Sequence, residues 1–274
     1  MKKTVLIILF LTTLVNAQEY STKENIHYYN DSINKSESYI NERCVLDIYY
    51  PKNQQNFATI VWFHGGGLIG DQKELPEYLK NKGFCVVGVN YRLSPKAKSP
   101  TYVQDAAAAI GWVFKNIASY GGDASKIFIS GHSAGGYLTF MIGLDKRWLG
   151  DHNIDANKIA GLLPISGQTV THSTIREEKG IPITQTVADD MAPLFHVRKD
   201  VPPMLLITGD RNLELPGRYE ENALFASKMQ EVGTSVKLFE LQGYTHMVVE
   251  PALPLVVEEI KKILKEKEAV KTSK

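Results

Sequence analysis

The chain reads Ile127-Phe128-Ile129-Ser130-Gly131-His132-Ser133-Ala134-Gly135-Gly136, and this stretch decides the fold. A short apolar run, residues 127–129, ends in Gly-x-Ser-x-Gly, the sequence of a nucleophile elbow. The glycines are a matter of space. A serine on a sharp strand-to-helix turn needs neighbours two residues before and after it that carry almost no side chain. The turn lifts the hydroxyl above a sheet, and the helix that starts there aims its amides and dipole at developing negative charge. Such a motif also occurs by chance, so the rest of the chain must supply a base, an acid and oxyanion donors.

Upstream, residues 58–63 form an apolar run suited to a strand buried on both faces. It leads into His64-Gly65-Gly66-Gly67. Three glycines after a buried strand let backbone amides approach a substrate oxygen, so donors are expected from Gly66 and Gly67, joined by the amide of Ala134. His64 is expected to hold the loop through its side chain.

Downstream, the strand at 236–241 is followed by Gln242-Gly243-Tyr244-Thr245-His246. His246 is the base of choice, because a glycine-bearing loop after the last strand places an imidazole over the sheet edge. His132, next to the nucleophile, is expected to point elsewhere; His152, His172 and His196 have no paired acid. The acid belongs on the loop after the strand at 204–208, which reads Gly209-Asp210-Arg211-Asn212-Leu213-Glu214. Asp210, nearest the strand end, is the first choice, Glu214 the second and the amide Asn212 the third.

The remaining elements alternate. Strands are expected at 45–50, 84–90 and 159–166, and helices at 73–82, 102–120, 134–144, 219–232 and 255–265. Alternating strands and helices imply a mainly parallel sheet covered on both faces, an α/β fold. Residues 18–40 are polar and weakly patterned and read as a surface arm. Residues 168–201 are too long for a plain connection and read as a small cap insertion. No repeat or linker divides 18–274, so one domain is expected.

The first 17 residues read as a separate signal. Lys2 and Lys3 precede an apolar run, 5–15, too short for a membrane span, and Ala17 offers an exit for cleavage, as in a secretory signal peptide. A secreted or periplasmic mature chain would begin near Gln18. Without Lys2 and Lys3 the formal charge falls from +1 to −1. A near-neutral chain without basic runs gives no reason to expect a nucleic-acid partner. No Cys/His cluster has zinc spacing, so neither a metal nor an organic cofactor is expected. The oligomeric state is left open.

Taken together, His64-Gly65-Gly66-Gly67, Tyr91-Arg92-Leu93-Ser94-Pro95, Tyr102 with Asp105 and Trp112, Gly121-Gly122-Asp123, the elbow and Gly243-Tyr244-Thr245-His246 resemble the α/β-hydrolases of the hormone-sensitive-lipase-like and related esterase branch. The resemblance covers about residues 45–262 and includes the chain order nucleophile, acid, base. It implies Ser133 as nucleophile and His246 as base. Such enzymes often carry the acidic residue where Arg211 and Asn212 stand here, which is the one departure. It also implies that the second strand runs antiparallel to the one beginning at Phe84, which puts Cys44 and Cys85 at opposite ends of neighbouring strands as free thiols. The expected function is hydrolysis of small-molecule carboxylic esters, with small acyl groups favoured. The alternatives are an arylformamidase or amidase, since related hydrolases with this glycine loop cleave formyl amides, and a non-catalytic binding protein on a hydrolase scaffold.

Overall fold

The computed structural model describes residues 18–272. The expected signal segment lies outside the described residues.

Among the described residues, eight strands form one sheet. In chain order they are β1 (Tyr20–His27), β2 (Val45–Pro51), β3 (Phe57–Phe63), β4 (Cys85–Val89), β5 (Gly122–His132), β6 (Gly161–Ile165), β7 (Leu205–Gly209) and β8 (Lys237–Leu241). Their spatial order is β1-β2-β4-β3-β5-β6-β7-β8. β2 runs antiparallel to both β1 and β4. From β4 to β8 every pairing is parallel. The α-helices are α1 (Asp31–Asn34), α2 (Ser38–Arg43), α3 (Thr101–Asn116), α4 (Ala134–Leu144), α5 (Lys146–Gly150), α6 (Ser173–Glu178), α7 (Arg218–Glu231) and α8 (Val249–Thr272).

The central strands are apolar throughout because both faces are covered. Along β3, Val61 and Phe63 join the core that also holds α3, α4 and the buried side of α7. Ile60 and Trp62, pointing the other way, join the core beneath α8. Ala106 to Ala109 give α3 the thin face that lets it lie close to the sheet. Leu253, Val256, Val257, Ile260 and Ile263 bury one side of α8. Each such side chain contributes about 1.5–3 kcal/mol of burial free energy. Among the described residues no helix is long and apolar enough to cross a membrane.

Two expectations about elements are corrected. The polar stretch after Gln18 is not an arm: β1 pairs with β2 at the sheet edge, and Tyr20 stacks on Tyr49 at 4.7 Å. An edge strand wetted along most of its length lacks the alternation that marks a half-buried one. The helix expected at 73–82 is reduced to the 3-10 turn Glu77–Leu79. Pro76 removes a donor and disfavours helical geometry at Leu75. The preceding residues are tied instead to the sheet. Lys73 N–H donates to Asn90 Oδ1, Trp62 Nε1–H donates to Glu74, and the Glu74 carbonyl lies where a side chain on Gly88 would be.

Cys44 and Cys85 are buried free thiols. The β2–β4 register, Leu46 opposite Val89 and Tyr49 opposite Val86, sets them at opposite ends of the pair.

Candidate active site

Because β3, β5, β7 and β8 are parallel, the segments that follow them emerge at one sheet edge. That edge gathers Gly65–Gly67, Ser133, the 210–214 loop and His246.

Ser133 sits between β5 and α4 with φ 56° and ψ −112°, a conformation that the surrounding packing must enforce. A Cβ at Gly135 would meet the Phe63 carbonyl oxygen at 2.0 Å, and one at Gly131 would meet it at 2.6 Å. The Ser133 amide donates to the Ile165 carbonyl at 2.9 Å, which pins the turn to the end of β6.

Ser133 Oγ lies 2.9 Å from His246 Nε2. His246 Nδ1 meets Glu214 Oε1 in a short hydrogen bond. The carboxylate at His246 is therefore that of Glu214, and the first choice, Asp210, is corrected. Asp210 faces away: its Oδ2 accepts from the Gly243 amide at 2.9 Å and its Oδ1 from the Asn212 amide at 2.9 Å. These bonds, the Gly243 amide foremost, hold its pKa down. The Asp210 amide also donates to the Tyr244 carbonyl. Asp210 thus clamps the loop that carries Glu214 to the loop that carries His246. Asn212 donates its side-chain amide to Asp210, and Arg211 pairs with Glu240 at 2.6 Å, so neither reaches the imidazole.

Glu214 is buried and fully coordinated. Besides His246, it accepts from the Leu215 amide at 2.9 Å, Ser166 Oγ at 2.8 Å and the Gly209 amide at 3.1 Å. Burial alone would raise its pKa. The bonds from His246, Leu215 and Ser166 outweigh that and hold it down to about 2. An ionised carboxylate here fixes the imidazole with Nδ1–H toward Glu214 and leaves Nε2 to accept the serine proton.

His132 does turn away from Ser133 Oγ, but it has a partner of its own. Its Nε2–H donates to the His246 carbonyl at 2.8 Å. Burial, then the neighbouring His246, push its pKa down to about 4, so the ring is neutral at neutral pH. Nothing in the motif announces this contact, since the position is unrestricted within Gly-x-Ser-x-Gly. Ser166 was equally silent, being one serine at a strand end.

The glycine loop is rigidly held. Gly66 has φ +84°, and a Cβ there would meet the Gly70 carbonyl at 2.4 Å. Tyr91 Oη donates to the His64 and Gly65 carbonyls at 2.9 and 3.1 Å, and Thr174 Oγ1 donates to the Gly67 carbonyl. His64 stacks on Tyr91 at 4.4 Å and donates Nδ1–H to the Gly65 carbonyl. Burial lowers its pKa to about 4, leaving Nε2 to accept from Arg43. Among the described residues, no hydrogen bond engages the amide N–H of Gly66, Gly67 or Ala134. Three unengaged donors on fixed backbone beside a serine are what an oxyanion requires.

The chain order serine, glutamate, histidine on this sheet is that of the α/β-hydrolases, and the chain is one of them. More narrowly, it belongs to the BD-FAE family, whose model matches residues 46–229. It is 27% identical over 212 residues to Esterase LipC of Mycobacterium tuberculosis, covering 68% of this chain and 50% of that protein. It is 26% identical over 229 residues to a probable isoprenylcysteine alpha-carbonyl methylesterase of Arabidopsis thaliana, covering 73% of this chain and 48% of that one. The chain thus spans about half the length of the curated relatives it matches. In fold it is similar to a truncated carbohydrate esterase from gut microbiota, with TM-score 0.72 at 19% identity, covering 91% of this chain and 98% of that one. A Thermogutta terrifontis esterase superposes with TM-score 0.67 at 22% identity, covering 90% and 93%. The resemblance to the hormone-sensitive-lipase-like esterase branch agrees with these likenesses.

Proposed function

We propose that this chain hydrolyses carboxylic esters through an acyl-enzyme on Ser133. The observation that carries the reading is the continuous chain Ser133–His246–Glu214, beside three unengaged amides. His246 takes the Ser133 proton as Oγ attacks the ester carbonyl. The amides of Gly66, Gly67 and Ala134 receive the oxyanion. His246 then passes its proton to the departing alkoxide and next activates the water that releases the acid. The esterase names of the relatives support an ester as the bond cleaved, and small acyl groups are the preferred substrates in this reading. The leader-like residues 1–17 support export, which N-terminal sequencing of the mature protein tests.

The deciding experiment is labelling with a fluorophosphonate probe alongside turnover of 4-nitrophenyl acetate. Labelling at Ser133 and hydrolysis, both lost in Ser133→Ala, are expected. An unlabelled Ser133 with no turnover would overturn the reading and favour a binding protein. Faster cleavage of formyl amides than of any ester would move the substrate to the amidase class.

A further inference from the structure

A cavity of about 600 Å³ adjoins the segments that support the site, although Ser133, His246 and the 65–67 loop do not themselves line it. Its walls start from the segments that build the site. Leu215 and Arg218 belong to the loop and helix behind Glu214. Gln168 follows Gly167, which packs directly on Gly136 of the elbow helix. Ser173 and Arg176 lie on α6, whose Thr174 holds the carbonyl of Gly67. The cavity is far larger than an acetyl group needs, and its lining is mixed rather than greasy.

Arg176 is the unusual group in that wall. It is only 5% exposed, and among the described residues no carboxylate stands within ion-pair distance of it. The other guanidinium of the cavity, Arg218, has its counter-charge in Glu221 at 2.7 Å. Arg176 has none. Its Nη1 donates to the Gln185 carbonyl, while its Nε is buried without any acceptor. Nε and Nη2 form the side-on edge of a guanidinium, the edge that grips a carboxylate with two parallel bonds. Buried polar groups in native proteins are almost always paired, so a buried cation that lines a cavity with no counter-charge and an unpaired Nε asks for a partner from outside the chain. Glu221, which lines the same cavity, is taken by Arg218, and the other neighbouring charges do not supply a partner either. Glu178 is engaged by Tyr102 and Ser99, and Asp189 by Lys179 and Thr171. The field of Arg176 is felt inside the fold: burial, then Arg218 and Arg176, push His172 down to about 3.

We infer that this cavity is a subsite for a carboxylate carried by the ester substrate, with Arg176 as the anchoring residue. The inference rests on the ester-hydrolase reading and narrows its substrates to acidic esters. The carboxylate is on the acyl or the alcohol portion, and two substrate pairs separate these cases. One pair is 4-nitrophenyl hydrogen adipate and 4-nitrophenyl hexanoate. The other is 4-acetoxybenzoate and its methyl ester. The wild-type enzyme is expected to favour the acidic member of one pair by at least about tenfold in kcat/KM, in line with a charge-assisted pair. Arg176→Gln is expected to bring that ratio to about one. A ratio near one for both pairs in the wild type, or a preference that survives in Arg176→Gln, would overturn the subsite.

Should Arg176→Gln not fold, Arg176→Lys keeps a charge but not the side-on edge, and an unchanged ratio there would overturn it equally. If no ester is turned over at all, the hydrolase reading fails by itself. The subsite then stands or falls on calorimetry with free adipate and 4-hydroxybenzoate. Binding to the wild type at least tenfold tighter than to the variant supports it, and absence of binding refutes it.

Discussion

Ser166 Oγ donates to Glu214 Oε2 at 2.8 Å, on the carboxylate oxygen not bonded to His246. Ser166 itself has φ +47°, and its carbonyl is held by Arg218. Glu214 is therefore oriented by a residue at the end of β6, on a neighbouring strand, and the candidate site spans the sheet from β3 to β8.

This arrangement separates the two carboxylates of the loop. Glu214→Ala should lower kcat by about 10³–10⁴-fold, the range seen when a triad loses its acid. Asp210→Asn, which removes only the clamp, should stay within about tenfold, since its partners are backbone amides rather than the reacting groups. Steady-state kinetics on 4-nitrophenyl acetate make the comparison, and the reverse ranking would return the acid to Asp210.

The glycine loop depends on one buried phenol. Tyr91→Phe deletes both bonds to the His64 and Gly65 carbonyls. Loss of a buried donor should cost about 1–3 kcal/mol of stability. Because the same loop carries the oxyanion amides, kcat should fall further than KM rises. Urea unfolding and steady-state kinetics on the same preparation check both parts.

Acid should unfold the protein in two stages. His64, His132 and His172 are neutral when folded, with pKa values pushed down to about 4, 4 and 3, and they take up protons near 6.5 once unfolded. The unfolded chain therefore binds more protons below that pH, and stability falls with slopes of up to about 1.4 kcal/mol per pH unit for each histidine. Glu214 has the sign of a depressed acid. Its contribution is fully present above its unfolded value of 4.5 and is lost as the pH drops toward about 2. Unfolding free energies at pH 7, 6 and 5 should show the first stage, and His172→Asn should flatten the slope by about one proton.

Both thiols should be inert in the native state. Burial, then Asp105, push Cys44 up to about 12, and burial raises Cys85 as well, so neither forms thiolate near neutral pH. Titration with a disulfide reagent should find no reactive thiol in the folded protein and two after denaturation. A mass shift corresponding to a Cys44–Cys85 bond would contradict the strand order itself.

What the sequence made legible was whatever local sterics or burial dictate. The elbow glycines, the glycine loop and the two-sided apolar strand β3 could be read directly, because no other residue types fit those places. His246 followed from its loop. The acid did not, because proximity to the strand end favours Asp210 in one dimension. In space Asp210 bonds to the Gly243 amide, and the turn it closes brings Glu214, four residues on, beneath the imidazole. β1 escaped notice because an edge strand has little core to face. The helix expected at 73–82 failed because contacts from Trp62 and Asn90, distant in sequence, overrode its local pattern.

The hydrogen bond from His132 to the His246 carbonyl joins the residue before the nucleophile to the backbone of the base. The elbow and the base loop are consequently tied at two points, this bond and the side-chain contact of Ser133 with His246. Serine and imidazole thus share one frame of reference, in which Ser133 Oγ stands 2.9 Å from His246 Nε2. The separation of the two side chains is set by the backbone of both partners, and not by the side chains alone.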